Sequence, residues 1–135
     1  MSDFVHEYQT HIREAHLDSF GHVNHAVYLN LMEEARWDLI TSRGFGMEKI
    51  QASQLGPVIL DVHIQYKKEL RLRASIRIVS KTLSYQHKIS TFEQNIFIEP
   101  DTLSAKAVFT FGLFDMQKRR LVPPTQAWLY AIGHV

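Results

Sequence analysis

The chain contains no cysteine. That absence excludes disulfides, thiolate nucleophiles and zinc sites built on cysteine sulfur. Also missing is any apolar run near the roughly 20 residues that a bilayer-spanning helix needs. The opening residues, Met1 to Glu14, are polar and lack the basic-then-apolar layout of a secretory leader, so a cytoplasmic location is the expectation. Charge of one sign is scarce too. Fifteen basic against fourteen acidic residues leave a formal net charge of +1, which offers no general attraction to nucleic acid. No repeat, low-complexity stretch or interdomain linker breaks the sequence.

What is present suits one compact domain spanning residues 1–135, with 45% apolar and 11% aromatic residues to build a core. Val5 to Glu14 reads as a first strand of weak alternation. A turn-like stretch follows from His16 to His22, holding Asp18, Ser19 and Gly21. From Asn24 the period changes. Tyr28, Leu31, Met32, Ala35 and Leu39 recur at helical spacing and mark one buried face. Asn24 is the expected N-cap and Gly44 the expected stop. Leu29, Trp37 and Ile40 add apolar groups outside that stripe, so the helix is covered over much of its circumference. A short second helix or turn is expected at Met47 to Ala52.

The remainder reads as four strands. In Val58 to Tyr66, Leu60, Val62, Ile64 and Tyr66 alternate with Ile59, Asp61, His63 and Gln65. Ile76 and Ile78 share a parity within Ala74 to Leu83, and Phe92, Gln94, Ile96 and Ile98 share one in the next run. Glu99-Pro100-Asp101-Thr102 signals a hairpin. Leu103 to Asp115 then places Ala105, Ala107, Phe109, Phe111 and Leu113 on one side. Pro123-Pro124 precedes a short amphipathic tail, Thr125 to Ile132. The order predicts an α+β fold, an antiparallel sheet wrapped around one long central helix. One helix cannot cover both faces of such a sheet, so a homodimer or a dimer-of-dimers tetramer is expected.

Four groups able to handle protons lie close together: His16, Asp18, His22 and His25. They sit before and at the start of the buried helix, where unpaired N–H groups and a partial positive charge can hold an oxyanion forming on a carbonyl. A carboxylate on the preceding loop can attack that carbonyl or deprotonate a water that does.

Here the sequence resembles a known family. Asp18, Gly21-His22-Val23-Asn24-His25, Tyr28-Leu29 and Glu33-Glu34-Ala35-Arg36 look like the signature of the 4-hydroxybenzoyl-CoA thioesterase-like branch of hotdog proteins. Trp37-Asp38 adds similarity to its long-chain acyl-CoA thioesterase subgroup. The resemblance implies a hotdog fold, acyl-CoA thioester hydrolysis, and Asp18 and His25 as catalytic residues. In it Asp18 is the carboxylate, His25 acts through its backbone N–H and, as in some relatives, its side chain, and Asn24 with His25 forms the carbonyl-polarising helix start. No cofactor is expected, and no metal either, because the four candidate ligands, His16, Asp18, His22 and His25, all come from one short loop and cannot converge without distorting the helix start. His22, Tyr28 and Glu33 are candidate substrate contacts, and Lys67, Lys68, Arg71 and Arg73 are candidates for the CoA phosphates. Lys118, Arg119 and Arg120 form a second basic group at a hairpin or loop end. Two departures stand out. His25 replaces the more frequent second Asn, and Lys67-Lys68-Glu69 lacks the Pro that often follows the basic residue in relatives.

Plainer readings accompany each of these. Asp18 also suits a turn that bonds local N–H groups, His16 a half-buried strand end, and Glu33, Glu34 and Arg36 an exposed set of i, i+3 ion pairs. Competing functions are hydrolysis of acyl carrier protein thioesters, docked through the basic groups, metal binding by His16, Asp18, His22 and His25, and acyl binding without turnover. Hydratases of the same fold resemble an Asp-x-Asn-Pro-x-His arrangement, and no proline follows Asp18.

Overall fold

A computed structural model describes residues 3–134. Strand β1 (His6–His11) leads through a 3-10 turn at Glu14–His16 to α1 (His25–Ser42) and the short α2 (Met47–Ser53). Strands β2 (Leu55–Tyr66), β3 (Ser75–Gln86), β4 (Ile89–Ile98), β5 (Thr102–Asp115) and β6 (Arg120–Val122) follow, and α3 (Gln126–Ala131) closes the chain.

Helix α1 begins and ends where its local chemistry dictates. The Asn24 side chain accepts from the Ala26 N–H at 3.0 Å, and its carbonyl accepts from Val27 N–H at 2.9 Å. At the other end Gly44 adopts φ +88°, while Phe45 N–H reaches the Ile40 carbonyl at 2.8 Å and Gly44 N–H the Thr41 carbonyl at 3.2 Å. These are the paired bonds of a Schellman closure. Every residue of the expected stripe, Tyr28 through Leu39, is buried, and Ile40 joins them.

The strands form one antiparallel sheet in the order β1-β3-β4-β5-β2, with β6 pairing to β5. Its helix side is set by register: Ile78 lies opposite Ile96, Ile96 opposite Ala105, and Phe92 opposite Phe109. All of these are buried in one core with the α1 stripe. The antiparallel sheet around one long helix is therefore observed as the hotdog resemblance implies.

Three details differ from the sequence reading. First, β1 ends at His11, because Ile12 turns into the core and Glu14–His16 coil into the 3-10 turn. Second, a sixth strand, β6, returns from the Lys118–Arg120 hairpin ahead of the expected amphipathic tail, which forms α3 and buries Trp128. Third, the alternation of β2 is broken by a bulge between Ile59 and Asp61. Ile59 pairs with Phe111 and Val62 with Phe109, so both face the helix and Leu60 is the extra residue. The grouping of Leu60 with Val62 and of Ile59 with Asp61 thus fails at the bulge.

Strand β2 is an edge of the sheet, and its apolar groups are only partly covered. Ile59 is 40% exposed, Leu60 48%, Val62 38% and Tyr66 45%. The opposite edge, β1, instead turns Glu7, Gln9 and His11 outward.

Candidate active site

The loop before α1 is closed by its own hydrogen bonds. A bridge joins Leu17 to Val23, and Asp18 N–H donates to the His22 carbonyl at 2.8 Å. Gly21, at φ +80°, lets the chain reverse, with its N–H on the Asp18 carbonyl at 3.0 Å. Within this loop one carboxylate oxygen of Asp18, Oδ1, accepts from the N–H groups of both Phe20 and His22 at 2.9 Å. Those bonds favour the charged form. The His22 N–H, above all, holds the carboxyl below the ordinary Asp range; desolvation opposes it, and the Phe20 N–H adds to the lowering. Asp18 is therefore an exposed, ionised carboxylate with a fixed orientation.

Two residues after His22 the helix starts. Asn24 and its side chain satisfy the N–H groups of Val27 and Ala26, whereas the His25 N–H has no acceptor among the described residues. The first turn is braced from β2. Tyr66 Oη donates to the His25 carbonyl at 2.9 Å, and its ring meets Tyr28 edge-on with centroids 4.9 Å apart. Sequence reasoning placed Tyr66 on a strand but missed this contact, since 41 residues separate the partners and no local pattern announces it.

The other expected site residues divide. The His22 side chain is exposed beside Asp18. Tyr28 is buried, and its hydroxyl accepts from the Leu70 N–H at 3.0 Å, which ties the helix to the chain following β2. His16 is half-buried in the 3-10 turn rather than at a strand end, with Nδ1 accepting from Arg13 N–H at 2.9 Å. Among the described residues, no group of three or more His, Asp or Glu side chains is placed to hold a metal ion.

The basic group after β2 is partly spoken for. Arg73 grips Glu14 through two bonds, Nη1 to Oε1 at 2.9 Å and Nη2 to Oε2 at 2.5 Å, which hold the Glu14 carboxyl down at about 2. Arg71 pairs with Glu69 at 2.9 Å. Lys67 and Lys68 have no ion pair among the described residues, and their N–H groups fix the loop on the Ser104 carbonyl at 2.8 and 3.1 Å.

Further along α1 the exposed ion pairs anticipated for Glu33, Glu34 and Arg36 do not form. Glu34 accepts from Tyr8 Oη at 3.2 Å. Arg36 turns inward instead, donating to Gln94 Oε1 at 2.9 Å and lying 4.5 Å from the Phe109 ring centroid. Burial lowers its pKa to about 10, against the favourable charge of Glu33. Gln94 anchors this arrangement, because its Nε2 also donates to the Met32 carbonyl at 3.0 Å and to Ser80 Oγ at 2.9 Å.

Arg36 and Glu33 border a largely apolar cavity of about 120 Å³, walled by Trp37, Ile59, Phe111 and Trp128 among others. None of the Asp18 loop lines it. With a rise of 1.5 Å per residue, Glu33 sits about 12 Å along α1 from His25. The cavity and the carboxylate thus occupy different stretches of one helix.

An antiparallel sheet wrapped around a single long helix defines the hotdog class. The family model of the Thioesterase-like superfamily matches residues 12–132, and the chain belongs to that superfamily. It is 32% identical over 114 residues to the long-chain acyl-CoA thioesterase FadM of Escherichia coli, covering 83% of this chain and 85% of that one. Among solved structures, the probable thioesterase YbaW of Escherichia coli superposes with a TM-score of 0.82 at 26% identity, covering 95% of this chain and 98% of its own. A Staphylococcus aureus protein solved in complex with CoA shares the fold at a TM-score of 0.88 and 16% identity, over 99% of this chain and 85% of that one. Among the described residues no helix is long and apolar enough to cross a membrane.

Proposed function

We propose that this chain, as one hotdog domain, hydrolyses medium- and long-chain fatty acyl-CoA thioesters to the free acid and CoA in the cytoplasm. The observation that carries this reading is the Asp18 carboxylate, pinned by its own loop just ahead of a helix start whose first N–H is free. In this mechanism the thioester carbonyl oxygen lies against the His25 N–H, where the helix dipole favours developing negative charge. The two N–H groups hold Oδ1 and leave Oδ2 without a hydrogen-bond partner among the described residues, so that oxygen is the one that attacks the carbonyl carbon. Asp18 adds to the carbonyl carbon, the oxyanion collapses with expulsion of the CoA thiolate, and a mixed anhydride remains. Water then cleaves the anhydride, releasing the fatty acid and restoring the carboxylate, and the thiolate takes up a proton from solvent.

The name of the Escherichia coli relative supports a fatty acyl substrate. So does the apolar cavity, whose distance along α1 a long chain can span and a short one cannot. The exposed apolar edge of β2 supports a homodimer in which two copies pair these strands, because an unpaired edge of this kind otherwise invites aggregation. A thiol-release assay across fatty acyl-CoAs of increasing length and an aromatic acyl-CoA tests the substrate class. Rising kcat/KM up to medium and long chains is expected, and a preference for short or aromatic acyl groups would reject it.

A further inference from the structure

Two charged side chains border a cavity whose other walls are mostly carbon. Arg36 and Glu33 lie on one side of it, facing Trp37, Ile59, Phe111 and Trp128 among others. Of the Arg36 donors, Nη1 is committed to Gln94 Oε1 at 2.9 Å, while Nε and Nη2 have no acceptor among the described residues. The Phe109 ring lies 4.5 Å from the guanidinium carbon and offers a π face to the cation, not an oxygen to its N–H groups. Glu33 has neither a hydrogen bond nor an ion pair among the described residues. On a helix, residues three apart hold their Cβ atoms about 5–6 Å from each other. The pair therefore presents a donor-only group and an acceptor-only group side by side.

This arrangement discriminates among the ends that an acyl chain can carry. A methyl end that fills the cavity strips solvent from both charged groups and returns no hydrogen bond. A carboxylate end meets repulsion from Glu33, and an ammonium end meets repulsion from Arg36. A hydroxyl suits both, since its oxygen accepts from Arg36 while its proton is donated to Glu33. The position of that hydroxyl on the chain follows from two lengths. Glu33 sits about 12 Å along α1 from His25, where the thioester carbonyl is placed. The cavity itself is about 120 Å³. A void of about 150 Å³ holds a benzene ring, so this one takes only the last few heavy atoms of a chain.

We propose that Glu33 and Arg36 together recognise a hydroxyl at the far end of the acyl chain, which makes ω-hydroxy fatty acyl-CoAs the preferred substrates at a given chain length. The inference rests on the thioesterase reading above and narrows its substrate class.

Three thioesters of one chain length test it: the unsubstituted acyl-CoA, its ω-hydroxy counterpart and its β-hydroxy counterpart. With the wild type, the ω-hydroxy compound is expected to exceed the unsubstituted one about tenfold in kcat/KM, the effect of one charge-assisted hydrogen bond. The β-hydroxy compound, whose hydroxyl stays near the thioester, is expected to show no such gain. Arg36→Met should abolish the ω-hydroxy advantage. Glu33→Ala, at an exposed position whose loss leaves Gln94 untouched, should reduce it. Equal kcat/KM for the ω-hydroxy and unsubstituted compounds, an equal gain from the β-hydroxyl, or an advantage that survives in both variants would overturn the assignment. Calorimetric binding of the free acids needs no turnover and separates the two readings. An ω-hydroxy acid held about tenfold more tightly than the plain acid supports the assignment even where no acyl-CoA is hydrolysed, a result that would reject the thioesterase reading alone. Equal affinity for the two acids would reject the hydroxyl recognition.

Discussion

Two backbone N–H groups on one carboxylate oxygen decide how Asp18 behaves. They lower its pKa, so the charged form persists until the pH falls through a folded-state value below the ordinary 3.8. Activity that depends on this carboxylate is therefore present above that value and lost beneath it. A kcat profile should show no inflection from Asp18 above 3.8, and one that vanished in Asp18→Ala would contradict the geometry. At this scale the sequence was legible wherever partners are neighbours. Asn24 caps Ala26 two residues on, and the Asp18 loop closes within four. Gln94 was not, since its bonds to Met32 and Arg36 span 62 and 58 residues. Parity put it on the apolar side of β4, but nothing local says which groups meet it there.

Helix α1 is bounded by local signals, and its C-terminal closure needs a residue at φ +88°. A methyl group at Gly44 would meet nothing within 4 Å, so only the backbone conformation opposes a side chain. Gly44→Ala should therefore cost about 1 kcal/mol, read as a lower urea midpoint with unchanged m-value. No loss of stability would mean that the Schellman closure is not maintained in solution. Strand β2 shows the converse. Its composition announces a strand, yet a bulge at Leu60 leaves no compositional trace and redirects Ile59 to the cavity wall. Period-two reasoning assumes an unbroken register, and one inserted residue defeats it. The short β6 was invisible for a related reason: three residues pair only because β5 has already been laid down beside them.

Across the whole molecule, the sheet offers one polar edge and one apolar edge. The asymmetry points assembly toward β2. Placing a charge there, as in Leu60→Glu, should shift the mass measured by light scattering from dimer toward monomer at micromolar concentration, because a two-fold interface sets the new carboxylate near its own copy. A wild-type monomer under the same conditions would reject strand pairing through this edge. The α+β architecture itself could be anticipated from element order and periodicity, whereas which edge stays open depends on strand order, a property of long-range pairing.

The proposed chemistry converges on one side chain. Thiol release from a long-chain acyl-CoA should fall by about a thousandfold in kcat for Asp18→Ala, with the circular dichroism spectrum and melting transition unchanged, since the side chain is exposed and bonds only within its own loop. Full activity in Asp18→Ala would contradict the account outright.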